Sequence, residues 1–381
     1  MRIVIAPTGF KECLDADAVA TAIERGVRRA LPHAATDTVP LVDGGEGSAR
    51  LLADSTGGRL VPVEVTGPVG APVPSHFALL GGAHRGTAFV EMAAAAGLGL
   101  VPADQRDPGA TTSRGVGELI AAALNTGATS IVVGCGDSGV CDGGAGALQA
   151  LGARVQDGAG AEIGHGGNEV GRARTLDVSE LDRRLGEVDI VVAANPANVL
   201  CGPGGVAHVF GPQKGASPEQ VEALASAMRN WAALLPNGEH LRLAPGGGAS
   251  GGLGAGLAGA LGARLASRFD VLLDTGDLDH RLADADLVIT AEGAIDASTA
   301  GGKVPAEVAR RAKNHGKPVI ALAGTIGAGA DTSYATGIDA FVGIVDGPLA
   351  LAEAITEAPE LLASATARAL RMLTVGQSLA G

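Results

Sequence analysis

The sequence predicts an α/β protein in two parts. A discontinuous outer domain over residues 1–59 plus 285–381 surrounds an inserted mixed α/β domain over residues 60–284. Three observations lead there. Short apolar runs alternate with helix-spaced stretches at both ends of the chain, the pattern of strand–helix–strand units. From Leu60 the rhythm changes to alternating segments such as Leu60-Val-Pro-Val-Glu-Val65, punctuated at Gly67-Pro68 and Gly81-Gly82, and near Asp284 the α/β rhythm resumes. The length of 381 residues suits roughly two domains.

Taken in order, residues 3–6 read as a strand, and residues 15–30 carry helical apolar spacing with Asp15 or Asp17 as cap. Residues 36–42 form the next strand; Asp43-Gly-Gly-Glu-Gly47 is an acidic glycine turn, and a helix runs from Ser48 to about Ala53. In the middle region Ser217-Pro218 opens a helix and Pro236-Asn-Gly238 is a turn. Residues 246–266, rich in Gly and Ala, read as a helix closely approached by backbone. The most informative stretch is residues 285–305, where an apolar strand runs into a small-residue loop bearing Glu292, Asp296 and Lys303. Pro305 opens the following helix to Asn314, residues 317–324 are the next strand, residues 341–345 another, and residues 349–375 a terminal helix. Ligands of open α/β sheets bind outside the carboxyl ends of the strands, so the 292–303 loop is a site candidate by position.

Composition narrows the function classes. Hydrophobic residues make up 46% and aromatics 2%, so the cores are built from Ala, Val, Leu and Ile. The 60 glycines punctuate apolar runs instead of forming polar repeats. The formal charge of −13, with no basic cluster interleaved with aromatics, excludes a nucleic-acid footprint. Any anionic substrate is held by local cations, helix N-termini or a metal ion. The four cysteines, Cys13, Cys135, Cys141 and Cys201, lack disulfide-scaffold spacing and suit a reducing cytoplasm, and no run reads as a signal peptide or membrane span. A homo-oligomer stays open.

Several familiar motifs occur in the chain, each with a plainer explanation. Residues 134–139 satisfy G-x-G-x-x-G after a strand, with Asp157 at the spacing of a dinucleotide fingerprint, but glycine is abundant and the helix over residues 145–151 is short for a nicotinamide unit. Gly248-Ala-Ser-Gly-Gly252 fits G-x-S-x-G without a convincing strand before it. Gly301-Gly-Lys303 lacks the P-loop spacing, and the eight histidines show no zinc pattern. What remains is a set of glycine-flanked acids and lysines: Lys11, Asp43, Glu46, Glu91, Asp142, Lys214, Glu292, Asp296 and Lys303. Glycine lets backbone amides approach phosphate oxygens, while carboxylates hold Mg²⁺ or take a proton from a hydroxyl.

At these loops the chain resembles the bacterial glycerate kinase family (type I), ATP-dependent enzymes that phosphorylate D-glycerate. The resemblance runs along essentially the whole chain. It rests on Ile5-Ala-Pro-Thr-Gly-Phe-Lys11, Val42-Asp-Gly-Gly-Glu-Gly-Ser48, Val65-Thr-Gly-Pro68, Val90-Glu-Met-Ala-Ala94 and Thr111-Thr-Ser113. It rests also on Asp142-Gly-Gly-Ala-Gly146, Leu200-Cys-Gly-Pro203, Phe210-Gly-Pro-Gln-Lys-Gly215, Gly251-Gly-Leu-Gly254 and Glu292-Gly-Ala-Ile-Asp296 with Gly302-Lys303. It implies a flavodoxin/Rossmann-like outer domain, an inserted mixed α/β domain and phosphoryl transfer from ATP with Mg²⁺ to a small hydroxy acid. The implied roles are Asp43, Glu292 and Asp296 for metal or hydroxyl activation, with Asp43 and Glu292 as metal ligands, and Lys11, Lys214 and Lys303 for phosphate or carboxylate charge. Gly44, Gly45, Gly143 and Gly144 give backbone approach. Glu46, Thr111, Thr112, Ser113, Ser138, Asp142 and Asn195 complete the implied binding set.

The chain also departs from the family pattern. Thr8 and Gly9 stand where Asp and Ser are usual, and residues 137–141 replace a glycine-serine-alanine-threonine-asparagine run. Asn195 replaces an Asp, Gly204 an Arg, Arg114 an aromatic and Ala294 an Arg. These changes keep two other readings open: a homologue repurposed for a non-kinase reaction or ligand binding, and a nicotinamide-dependent oxidoreductase resting on residues 134–139.

Overall fold

The computed structural model describes residues 1–10, 13–273 and 277–380. By internal contacts the chain divides into two units, one of Met1–Asp43 with Leu273–Gly381 and one of Gly44–Leu272. The sequence drew these boundaries at residues 59/60 and 284/285. They fall earlier because the Ser48–Thr56 helix packs on strands of the inserted unit, while the Leu278–Ala283 helix packs against the Val304–Asn314 helix.

In chain order the outer unit begins with β1 (Arg2–Ile5), the Ala16–Ala30 helix and β2 (Ala35–Thr38). Asp15 caps the helix, accepting from the Ala18 amide at 2.7 Å, and Arg28 and Arg29 lie in its last turn where the helix dipole favours cations. β2 stops short of the expected residue 42. Pro40 has no N–H to donate, although Val39 and Leu41 still hydrogen-bond the backbone at Ile5 and Pro7.

The inserted unit supplies β3 (Arg59–Thr66), β4 (Pro72–Leu79), β5 (Thr87–Glu91), β6 (Ser130–Gly134), β7 (Arg154–Gln156), β8 (Thr175–Asp177), β9 (Asp189–Ala194) and β10 (Arg264–Ser267). Six of these form one mixed sheet in the order β10-β9-β6-β5-β4-β3, and β7 with β8 makes a separate antiparallel pair. β3–β4 and β4–β5 are antiparallel, while β5–β6, β6–β9 and β9–β10 are parallel. The helix expected over residues 246–266 is shorter, Ala249–Leu261, and Arg264–Ser267 is instead an edge strand in register with Val191–Ala194. At the start of that helix Ser250, Gly251 and Gly252 all adopt left-handed φ, at 52°, 73° and 90°. A side chain on Gly251 would lie 2.1 Å from the Val140 carbonyl oxygen, so backbone passes too close there for any other residue.

Returning to the outer unit, the chain adds β11 (Leu287–Ile295), the Val304–Asn314 helix, β12 (Val319–Ile326), β13 (Ala340–Gly343) and the Leu351–Ala380 helix. The sheet order is β13-β12-β11-β1-β2, parallel throughout. Counting only this unit's strands, that is 2-1-3-4-5, the flavodoxin-like doubly wound order, with its topological switch point between β1 and β11. Ile3, Ile5, Val19, Ile23, Leu287, Ile289, Leu322 and Leu362 fill its core, and a separate, larger core in the inserted unit gathers Phe77, Leu119, Ile131, Leu148, Leu200 and Trp231. Gly26 lets the Ala16–Ala30 and Leu351–Ala380 helices meet, since a Cβ there would sit 2.4 Å from the Ala363 carbonyl oxygen.

Candidate active site

In the outer unit the switch point is built by hydrogen bonds that extend the β1–β11 pairing past the strand ends. Ala6 N donates to the Ile289 carbonyl at 2.8 Å, and Thr8 donates from both its amide and its hydroxyl to the Ala291 carbonyl, each at 3.0 Å. The Thr290 hydroxyl donates back to the Ala6 carbonyl at 2.8 Å. The loop opened by Pro7 is thereby set beside Glu292. Lys11, expected in the same loop, lies outside the described residues.

Glu292, expected in the loop after the strand, lies buried within β11, paired with Ala323 and three residues before the strand ends at Ile295, because the β11–β12 ladder runs on past it. Its Oε1 accepts from the Thr299 hydroxyl at 2.6 Å, and its Oε2 lies 3.5 Å from Lys303 Nζ. Lys303 also stands 3.5 Å from Asp296 Oδ1 and donates to the Ala294 carbonyl at 3.0 Å. Burial pushes the Glu292 carboxyl above its ordinary value, against the opposing effects of Thr299 and Lys303. Asp296 is displaced the other way, held down first by the Ser298 hydroxyl, with the Ser298 amide at 2.8 Å and Lys303 adding to it. Two carboxylates four residues apart, one within β11 and one in the loop after it, thus share a lysine yet differ in proton affinity. Lys303 is the extended residue just before the Val304–Asn314 helix, with Pro305 in its first turn. Thr299 escaped the sequence reading; its only signal is the Asp-x-x-Thr spacing of the turn, in which the Asp296 amide donates to Thr299 Oγ1 at 3.2 Å.

Asp43, half-buried, ends the first segment of the outer unit and is not without a bonding partner.

Within the inserted unit the remaining expected residues fall into three groups at the carboxyl ends of parallel strands. The first is the turn of Gly44, Gly45, Glu46 and Gly47, with Gly44 and Gly47 at φ 86° and 87°. Here the Glu46 amide donates to Asp137 Oδ2 at 3.1 Å, Gly47 to Glu91 Oε1 at 3.1 Å, Ser48 to the Gly45 carbonyl at 3.2 Å and Ala49 to Glu91 Oε2 at 2.9 Å. Glu91 ends β5 and is 1% exposed; burial raises its carboxyl to about 7 despite the two amide donors. Asp137, a non-glycine residue at φ 49°, follows β6.

The second group is Ser138 with Lys214. Lys214 is 2% exposed, and its ammonium donates to Ser138 Oγ at 2.8 Å and to the Val140 carbonyl at 2.7 Å. Burial lowers its affinity for a proton to about 8, with Cys141 and Asp142 opposing.

The third is a buried network around Asp142. Its Oδ2 accepts from the Ser113 amide and hydroxyl, both at 2.8 Å, and from Gly146 N at 3.3 Å, while Oδ1 accepts from Gly144 N at 3.1 Å. Burial pushes this carboxyl up and the donors from Ser113 and the backbone pull it down. The Thr111 hydroxyl donates to the Gly139 carbonyl at 2.8 Å, Thr112 Oγ1 accepts from Arg114 N at 3.2 Å, and the Gly143 carbonyl accepts from Trp231 Nε1 at 2.9 Å. Asn195 stands after β9, where its Oδ1 accepts from Ala197 N at 3.0 Å. The structure therefore brings Thr111, Ser113, Asp142, Gly143 and Gly144 together in the interior, while Asn195 bonds its own turn.

The geometry does not support the competing motifs. The glycines of residues 134–139 are followed by a loop, and the next helix begins only at Ala145, so no helix N-terminus faces the turn as a dinucleotide fingerprint requires. Ser250 sits in a left-handed turn with a buried hydroxyl, not on a strand-to-helix elbow. Among the described residues no group of three or more His, Cys, Asp or Glu side chains is set to hold a metal ion, and no helix is long and apolar enough to cross a membrane.

The comparisons with known proteins agree with one another. The model of the glycerate kinase family matches residues 3–374. The chain is 45% identical to a glycerate kinase of Bacillus subtilis (strain 168) over 364 residues, 95% of each chain. It is 42% identical to a glycerate 2-kinase of Escherichia coli (strain K12) over 383 residues, 100% of each. A crystal structure from Salmonella typhimurium LT2, described as a candidate glycerate kinase 2, superposes with a TM-score of 0.82 at 44% identity and covers 99% of both chains. With the doubly wound outer unit, the inserted mixed sheet and near-complete alignment in agreement, the chain belongs to the glycerate kinase family.

Proposed function

We propose that this protein is a kinase that transfers the γ-phosphoryl group of ATP to a hydroxyl of D-glycerate or a closely related hydroxy acid. Family membership gives the reaction class, and one observation carries the reading to residues: Glu292, Lys303 and Asp296 meet at the switch point of the outer sheet. Phosphoryl transfer needs positioning and charge stabilisation more than covalent chemistry from the protein.

The two carboxylates divide the work by proton affinity. Glu292, raised by burial, takes the proton from the attacking hydroxyl; Asp296, held low, stays ionised and keeps Lys303 in place. Lys303 offsets charge on the transferring group. Asp43 would supply a hard oxygen donor of the kind Mg²⁺ takes, and one carboxylate suffices because that ion is usually shared with nucleotide phosphates. The resemblance also implies Glu292 as a metal ligand, but its two oxygens already face the Thr299 hydroxyl and Lys303, so Glu292 keeps the proton role. Mg²⁺, when bound with ATP, would neutralise charge on the phosphates. In the inserted unit Lys214 fixes Ser138 for contact with the acid substrate, Asn195 offers a neutral amide there, and the Asp142 network holds Thr111, Thr112 and Ser113 in shape. The binding roles of Gly44, Gly45, Glu46, Gly143 and Gly144 belong to the same reading, as does a cytoplasmic location.

The test is mass-spectrometric detection of phosphorylated product after incubation with ATP, Mg²⁺ and D-glycerate, beside a panel of other hydroxy acids. Product from D-glycerate supports the reading as stated. Product only from another acid transfers it to that substrate, and no ATP-dependent product from any acid overturns it.

A further inference from the structure

Glu91 lies outside the groups given a chemical role above, yet both of its carboxylate oxygens accept from the acidic glycine turn and the helix that follows it. It ends β5, is 1% exposed, and uses one carboxylate oxygen on the Gly47 amide and the other on the Ala49 amide, at 3.1 and 2.9 Å. From the end of the neighbouring strand β6, Asp137 takes the Glu46 amide at 3.1 Å, and the Ser48 amide is taken by the Gly45 carbonyl at 3.2 Å. All four amides from residue 46 to residue 49 therefore have partners inside the protein. The anion seat at the N-terminus of the Ser48–Thr56 helix is filled by a side chain of the protein itself. On its other side the turn lies against the backbone of β6: a Cβ on Gly44 would come 3.3 Å from the Cys135 nitrogen.

We infer that Glu91 is a positioning residue for phosphoryl transfer: it clamps the glycine turn from the strand end and so fixes Asp43, the residue that enters it. The turn then serves the reaction by where it holds Asp43, and the amides of residues 46–49 do not cradle phosphate, which leaves Glu46 its side chain alone for the binding role. This rests on the proposed placement of Asp43 in the reacting site. A carboxylate suits the task because it offers two separate acceptor oxygens and a negative charge at a helix N-terminus, whereas an amide side chain offers one acceptor oxygen beside an NH₂ donor.

Two variants and two readouts test it. Glu91→Ala removes both acceptors; Glu91→Gln keeps the shape and one acceptor oxygen. Hydrogen–deuterium exchange of the peptide spanning residues 44–50 is followed at one pH, near 8, together with steady-state kinetics normalised to folded protein by near-ultraviolet circular dichroism. The expected result is exchange about tenfold faster at the Gly47 and Ala49 amides in Glu91→Ala, a kcat lower by about a hundredfold, and a KM for the acid within about twofold, since misplacement of a reacting group acts on the transition state. Glu91→Gln should recover about tenfold of that kcat. Unchanged exchange in both variants overturns the clamp. Faster exchange with kcat per folded molecule unchanged overturns the inference through its premise, because the turn would then lie outside the reacting site while wild-type turnover still stands. Absence of product from the wild type with every acid overturns the proposed function and the inference with it. If Glu91→Ala does not fold, Glu91→Gln decides alone: exchange and kcat must change together, the latter by about tenfold, or the inference fails.

Discussion

The Thr299 hydroxyl donates to Glu292 Oε1 at 2.6 Å and is itself fully buried, so this bond pulls down a carboxyl that burial would otherwise push further up. In Thr299→Val the shape is kept and the donor lost. A hydrogen bond to a charged group contributes about 1.5 kcal/mol or more, which is about one pH unit of proton affinity. The acid limb of the kcat/KM profile should therefore move about one unit to higher pH. A limb that stays in place removes Glu292 from the role of proton acceptor.

Lys303 is the cation common to Glu292 and Asp296. Lys303→Ala is expected to lower kcat by about 10²–10³-fold, the usual effect of removing a charge that stabilises a developing anion. Its side chain is about one-third exposed, so the fold should survive, with a thermal midpoint near that of the wild type. Full activity in a folded variant would take Lys303 out of the site.

Glu91 links stability to pH with a definite sign. Its folded-state value is raised from 4.5 to about 7, so the folded protein holds a proton that the unfolded chain releases across that window. The stability contributed by protonation is complete below about 4.5 and is lost as pH rises through about 7. Against the non-titrating Glu91→Gln variant, the wild type should lose on the order of 3 kcal/mol between those limits, as an upper figure. Urea denaturation of both proteins at pH 5 and pH 8 measures it; a constant difference between them would contradict the assignment.

Lys214 is buried with two acceptors, Ser138 Oγ and the Val140 carbonyl. Lys214→Met removes both bonds and leaves that carbonyl without this partner, which should destabilise the protein by about 2 kcal/mol, read from the denaturation midpoint. Because Ser138 loses its anchor too, KM for the acid should rise in the folded variant. A variant with wild-type stability and KM would show that neither bond matters.

Much of the architecture was legible in the linear chain because it is local. The Asp15 cap, the apolar spacing of the Ala16–Ala30 helix, proline in the first turn before Asn314 and the alternating pattern of β3 each depend on residues within a few positions of one another. The acid-and-lysine group around the end of β11 was legible for the same reason: Glu292, Asp296 and Lys303 lie close together in the chain. The ordered motifs from Ile5 to Lys303 likewise sufficed to indicate the family to which the full-length comparisons assign the chain.

Other features depended on partners brought together only by folding. Arg264–Ser267 looks helical beside its Gly- and Ala-rich neighbours, but the open edge of β9 offers it a parallel register, and those ladder bonds outweigh local preference. Nothing around Glu91 in the chain shows that it caps a helix 42 residues earlier, nor does the segment around Lys214 show an ammonium buried against a loop 76 residues away. The sequence by itself determined the locally specified elements, the family and the chemistry of the residues available, since propensity, capping and motif order are short-range properties. Only the tertiary structure decided which carboxylates keep their charge, which amides are occupied and which lysine is buried, because desolvation and hydrogen-bond pairing depend on every neighbour that the fold places around a group.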